Sequence, residues 1–102
     1  MKVLFKAPGE AAEIRDIPNE LEELQALVGG YIEVLPMGGG ALRFIVNEEG
    51  KLLDLEPNIL APTLDILVGP VIATAYDGEG DFRPLTDEEI KFCKEYFADC
   101  EV

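Results

Sequence analysis

Alternating apolar and polar residues predict β-strands in the first half of the chain. The first strand covers 2–6, and 12–17 is expected to run back beside it as a hairpin after a Pro-Gly turn signal. Two further strands are predicted over 31–35 and 41–47. An Asn-Glu-Glu-Gly turn then leads into 51–55, which we expect to pair with 41–47 as a second hairpin.

Two stretches carry the spacing of amphipathic helices. In the first, Asn19 is a candidate N-cap with Glu22 three residues later, and a Gly-Gly pair gives a stop signal. The last helix has the stronger start signal, since Thr86 and Glu89 form a capping box. Its staple and apolar stripe are predicted at Leu85, Ile90, Cys93, Phe97 and Cys100.

The remaining segments complete the fold prediction. Segment 55–64 holds two prolines and is expected to be irregular or a short helical turn. The apolar, β-branched run 66–75 predicts a central strand covered on both faces, with a bend at Gly69. An acidic loop follows over 76–84. We therefore predict one α+β domain over 1–102, a mixed, mostly antiparallel sheet of five or six strands with two helices.

Composition narrows the function. The chain of 102 residues contains no histidine and no serine, which excludes the usual catalytic triads and most transition-metal sites. A net charge of −13 argues against binding duplex nucleic acid, because phosphate contacts need clustered Lys and Arg. The acids concentrate in the terminal thirds and leave the middle third nearly bare of charge. No membrane segment or signal peptide is visible, so we expect a cytoplasmic protein.

Cofactor and metal motifs are incomplete. Cys93 and Cys100 lie too far apart on one helix for a disulfide and form no Cys-x-x-Cys pair. The acidic run 77–81 resembles a calcium loop, but Phe82 occupies the position that requires glycine. We therefore predict no metal, no cofactor and no catalytic residue.

Candidate ligand-binding residues come mainly from the charge-poor middle of the chain. A glycine-rich loop frees backbone N–H groups to face an anion, and Arg43 can add a fork of donors. Asn58 interrupts an apolar segment, where it either forms a turn after Pro57 or binds a ligand. Arg43 and Asn58 are expected to meet in one pocket where the second hairpin ends. The predicted site is Tyr31, Gly39, Gly40, Arg43, Asn58 and Gly69.

Five short motifs in order resemble a small family known only as a domain of unknown function, found in Gram-positive bacteria, their phages and mobile elements. The motifs are LQALVGGYIEV at 24–34, VNEEGKL at 46–52, PN at 57–58 with Ala61, ILVGPV at 66–71 and GDFRPLT at 80–86. The resemblance implies a phage or mobile-element context in a bacterial host cell. It implies no catalytic or ligand residues.

Three function classes remain open. The leading hypothesis is a non-enzymatic accessory protein that sequesters a small nucleotide-type ligand, by analogy with small phage proteins that capture nucleotide immune signals. A homo-oligomer is expected, because subunit junctions could gather Arg43 or Lys51 from two chains against the acidic field. The alternative is an acidic protein that covers a basic surface of a host protein or mimics DNA. A small nucleotide-processing enzyme is the third.

Overall fold

A computed structural model describes residues 1–102, which form eight strands and two helices. In chain order these are β1 Lys2–Lys6, β2 Glu13–Asp16, α1 Leu21–Val28, β3 Ile32–Pro36, β4 Leu42–Asn47, β5 Pro57–Leu60, β6 Ile66–Val68, β7 Val71–Tyr76, β8 Phe82–Arg83 and α2 Asp87–Asp99.

Six strands form the main sheet, in the order β2-β1-β7-β4-β3, with β8 also paired to β7. Every strand pair is antiparallel, and the predicted hairpin of β1 with β2 is present, with Val3 opposite Arg15. β5 and β6 form a separate two-stranded sheet. The predicted α+β class, the mostly antiparallel sheet and the two helices are confirmed.

The main sheet is covered on both faces, because strand residues alternate between two cores. On one face, Leu4 and Phe44 pack with α2 and with the β5-β6 sheet, and we call this core the α2-side cluster. On the other face, Val3 and Ile45 pack with α1, and we call this core the α1-side cluster. β7 supplies residues to both clusters, which confirms the prediction of a central, doubly covered strand for its residues.

The second predicted hairpin is absent. Residues 51–54 form a turn, in which Asp54 has φ 55° and Leu55 N donates to Gly50 O. β4 pairs with β3 and β7 instead. The prediction was wrong because two adjacent exposed leucines, Leu52 and Leu53, give an apolar run that propensity alone cannot distinguish from a strand.

Two further segment predictions need correction. The segment predicted to be irregular contains β5, whose Pro57 begins the strand, a position where proline is tolerated. The run 66–75 is divided between two sheets, with β6 in one and β7 in the other. Gly69 lies at the crossing with φ 75°, a left-handed conformation that favours glycine, and a Cβ there would also require the Leu55 side chain to move, since Leu55 Cδ1 would lie 2.7 Å away.

The helix signals are confirmed in α2 and only partly in α1. Thr86 and Glu89 bond reciprocally as a capping box, and Leu85 and Ile90 are buried as the staple predicts. α1 ends at Gly29 in the left-handed conformation, as predicted. Its N-cap is Glu20, however, and Asn19 donates to Asp81 Oδ1 and Phe82 O instead. Neither helix is long and apolar enough to cross a bilayer.

Candidate functional site

Three cavities open on the surface, and one of them reaches the size of a small-ligand site. Its volume is about 310 Å³, whereas the other two measure about 140 and 240 Å³. Pockets for small molecules usually begin at about 300 Å³. We call the largest one the Lys6 cavity. It is lined by Lys6, Ala11, Ala12, Lys94, Phe97, Ala98 and Glu101.

The end of β1 places Lys6 in this cavity. Lys6 follows Leu4 at the strand period of two and therefore points to the α2 side of the sheet. There β5 and the end of the chain cover it, since Val102 N donates to Asn58 O and Leu60 N donates to Cys100 O. Only 2% of the Lys6 side chain is exposed. A lysine buried this deeply must find a hydrogen-bond partner for each of its protons.

Lys6 has three such partners. Its Nζ donates to Asn58 Oδ1 at 2.7 Å, to Glu101 Oε1 at 3.1 Å and to the Ala7 carbonyl at 3.4 Å. Asn58 is fully buried, and its Nδ2 donates to the carbonyls of Lys6 and Gly69 at 2.8 Å each. Asn58 therefore joins β1 to the crossing between the two sheets. Its carboxamide has both N–H groups and one oxygen position in use.

The charge around the cavity differs from that of the whole chain. Lys6 and Lys94 are balanced only by Glu101, whereas the chain carries −13. Lys94 is exposed on α2 and has no acidic partner within 4.0 Å among the ion pairs of the structure. Glu101 is 41% exposed, so a carboxylate already reaches Lys6 from the solvent side. All three protons of Lys6 are in use, so an anion can bond Lys6 only in place of the Glu101 carboxylate, with Lys94 as a second cation.

The same region offers no activated nucleophile. Burial raises the pKa of the Cys93 thiol to about 11, so it is protonated at neutral pH. Burial likewise raises the pKa of Tyr96 to about 12, and its hydroxyl donates to the Leu60 carbonyl at 2.7 Å. These groups pack the α2 side of the fold.

The predicted site residues fall in three separate places. Gly39, Gly40 and Arg43 share the first, where Arg43 Nη1 donates to the carbonyls of Gly40 and Leu42 at 2.8 and 2.9 Å. The Arg43 guanidinium also lies 5.2 Å from the centre of the Tyr76 ring. Arg43 thus stabilises its own glycine loop through these hydrogen bonds, and the loop lines none of the three cavities.

Asn58 and Gly69 share the second place, joined by the hydrogen bond between them. The predicted pocket of Arg43 with Asn58 is not formed, because the hairpin that was to bring them together is absent. Arg43 neighbours Phe44 in β4 and points to the α1 side, whereas Asn58 bonds Lys6 on the α2 side. The two side chains therefore lie on opposite sides of the main sheet.

Tyr31 occupies the third place. It is 66% exposed and borders the 240 Å³ cleft with Leu53, Glu49 and the end of α1. No basic residue lines this cleft, so it does not suit a phosphate group.

Sequence reasoning missed the residues that line the largest cavity. Lys6 ends a strand with apolar residues on both faces, so alternation alone does not show that its side chain is buried. Lys94 precedes Phe97 by three positions and lies at the flank of the helix stripe. That spacing indicates that Lys94 borders the buried face of α2, but only once that face is known.

Comparison with known proteins gives one match. A family model described as Domain of unknown function (DUF3846) matches residues 1–98. Neither the curated proteins nor the solved structures gave a match. The resemblance to a family of unknown function is thereby confirmed, and the match assigns no activity.

Proposed function

We propose that this chain, which belongs to the DUF3846 family of unknown function, is a non-catalytic protein that captures a small anionic ligand in the Lys6 cavity. The observation that carries the proposal is a fully buried lysine in the wall of the one cavity of small-ligand size. Lys94 supplies a second positive charge at the cavity.

A nucleotide-type ligand is the finer form of the proposal. A phosphate group would accept from Lys6 in the position that the Glu101 carboxylate now holds, with Lys94 as its second cation. The cavity lining holds two lysines against one glutamate, which lessens the repulsion that the acidic chain exerts on an anion. Sequestration of a nucleotide immune signal in a phage-infected host is the biological role that we attach to this capture.

The test is retention of an intact ligand. Purified protein is incubated with mononucleotides, cyclic nucleotides and ADP-ribose, freed of unbound material and heated, and the released compounds are identified by mass spectrometry. We expect one class of nucleotide to be recovered unchanged. Recovery of altered products would show an enzyme, and recovery of no compound would contradict nucleotide capture.

A second candidate function, an acidic protein that covers a basic protein surface, is favoured by the ion pairs. Six of the 21 carboxylates pair with a basic side chain or the amino terminus, which leaves fifteen without such a partner. Such a surface attracts a cationic partner at long range. Binding to a basic protein that weakens steeply with salt, together with no retained nucleotide, would favour this function over capture.

A further inference from the structure

We propose that the outer edge of β3 binds an extended, basic segment of a partner protein as an additional strand. The proposal is independent of the Lys6 cavity, since β3 contributes no residue to that cavity. The β3 edge would be the binding position of the cationic partner in the second candidate function. The partner's main chain would bond the free edge, and its basic side chains would meet the acids beside it.

The backbone register identifies the free groups. Glu48 N donates to Tyr31 O at 2.8 Å, and Met37 N donates to Leu42 O at 3.1 Å. In an antiparallel pair the bonded positions alternate, so the odd-numbered residues of β3 face β4. Ile32 and Val34 therefore direct their N–H and C=O groups away from the sheet. β3 is the last strand of the sheet order, so no strand covers this side.

Proline marks one limit of the free edge. Pro36 occupies the next outward position and has no N–H to offer, which is a common way to end pairing at an edge. Ile32 and Val34 are left as a short bonding unit with two N–H donors. The opposite edge of the sheet, β2, consists of Glu13, Ile14, Arg15 and Asp16. Both of its carboxylates are already paired, Glu13 with Arg15 and Asp16 with the amino terminus, so β2 offers a basic strand no free acid.

The charge beside the β3 edge indicates which kind of segment can bind there. Glu33 of β3 and Glu48, which directly follows β4, are exposed, and both border the 140 Å³ cleft. The one basic residue of that cleft, Lys51, is already paired with Asp65. A second copy of this chain would bring another −13 against the same edge, so self-pairing is opposed. A segment that alternates basic and apolar residues fits the edge, because Glu33 lies on one face of β3 and Val34, which is 40% exposed, lies on the other.

The experiment uses amide exchange with a model peptide. A short peptide that alternates lysine and valine is added to the full-length chain, and exchange is followed by NMR. In the free protein, the amides of Ile32 and Val34 should exchange fast and those of Glu33 and Leu35 slowly. The peptide should slow the exchange of the Ile32 and Val34 amides by about tenfold or more. A peptide of the same charge, with its lysines separated by Gly-Pro, should leave them unchanged.

Two variants separate strand addition from general attraction to acids. Val34→Pro removes one outward N–H but no bond to β4, and it should weaken binding of the lysine-valine peptide about tenfold. Val34→Thr keeps the N–H and should bind as the unmodified protein does. Equal binding by Val34→Pro, or binding without protection of Ile32 and Val34, would overturn the proposal. A dimer of the free protein with those amides already protected would also overturn it, because the occupant would then be a second copy.

Discussion

Replacing Asn58 with alanine should be among the most destabilising substitutions in the chain. The side chain is fully buried and makes three hydrogen bonds, at 2.7, 2.8 and 2.8 Å. A typical bond of this kind contributes about 0.5–1.5 kcal/mol, and bonds to charged groups about 1.5–3 kcal/mol. One of the three partners is the Lys6 ammonium. We therefore expect a loss of about 3–5 kcal/mol of unfolding free energy.

The loss is measured by urea unfolding, with Asn47→Ala as the matched control. Asn47 is also buried but makes two neutral bonds, from its Nδ2 to the Val28 carbonyl and from Glu49 N to its Oδ1. Its replacement should cost about 1–3 kcal/mol. The reasoning fails if Asn58→Ala loses less than the control, since Asn58 would then not join β1 to the crossing between the sheets.

Three further predictions concern α2. Thr86→Ala should lower the unfolding free energy by about 1 kcal/mol through loss of the N-cap, as read from thermal melting. Hydrogen bonds from Arg83 hold the pKa of Glu89 at about 2, against an ordinary 4.5. The stabilisation by this pair is therefore present above pH 4.5 and is lost as the pH falls towards about 2. In Glu89→Gln, the melting temperature should therefore fall less over that pH range than in the unmodified protein. Cys93 is buried and its pKa is raised to about 11, so it should resist alkylation in the native protein at pH 8. The partly exposed Cys100 should react first, and equal alkylation rates of the two thiols would contradict this.

The parts of the fold that sequence predicts are those with local causes. The capping box of Thr86 and Glu89 lies within four residues, and the stop at Gly29 depends on one backbone conformation. The hairpin of β1 and β2 follows from two strands with a turn signal between them. In each case the residues that specify the element are close in the chain, so no knowledge of the packing is needed.

The failures involve residues whose role depends on distant parts of the chain. The run 66–75 is equally apolar on both sides of Gly69, so its pattern does not show that Gly69, at φ 75°, takes the chain from one sheet to the other. Leu52 and Leu53 look like strand residues because periodicity does not show that this turn remains exposed.

The same limit applies to the candidate site. Asn58 is recognisable as an unusual polar residue in an apolar segment, but its partner Lys6 is 52 positions away in sequence. Glu101 reaches Lys6 because residue 101 pairs with Ile59 of β5, and Lys94 reaches the same cavity from α2. A pocket assembled from distant parts of the chain leaves no local motif, and glycine loops and aromatic residues do not mark it.

Calorimetric titration of the retained nucleotide into three variants is the most direct test of capture in the Lys6 cavity. Lys94→Gln should weaken binding by about ten- to a hundredfold, the effect of losing a charge-assisted bond. Lys91→Gln should leave it unchanged, because Lys91 is also exposed and unpaired on α2 but does not line the cavity. Glu101→Gln should tighten binding, because it removes the carboxylate that competes for Lys6. Equal weakening by both lysine variants, or no tightening by Glu101→Gln, would contradict the proposed site.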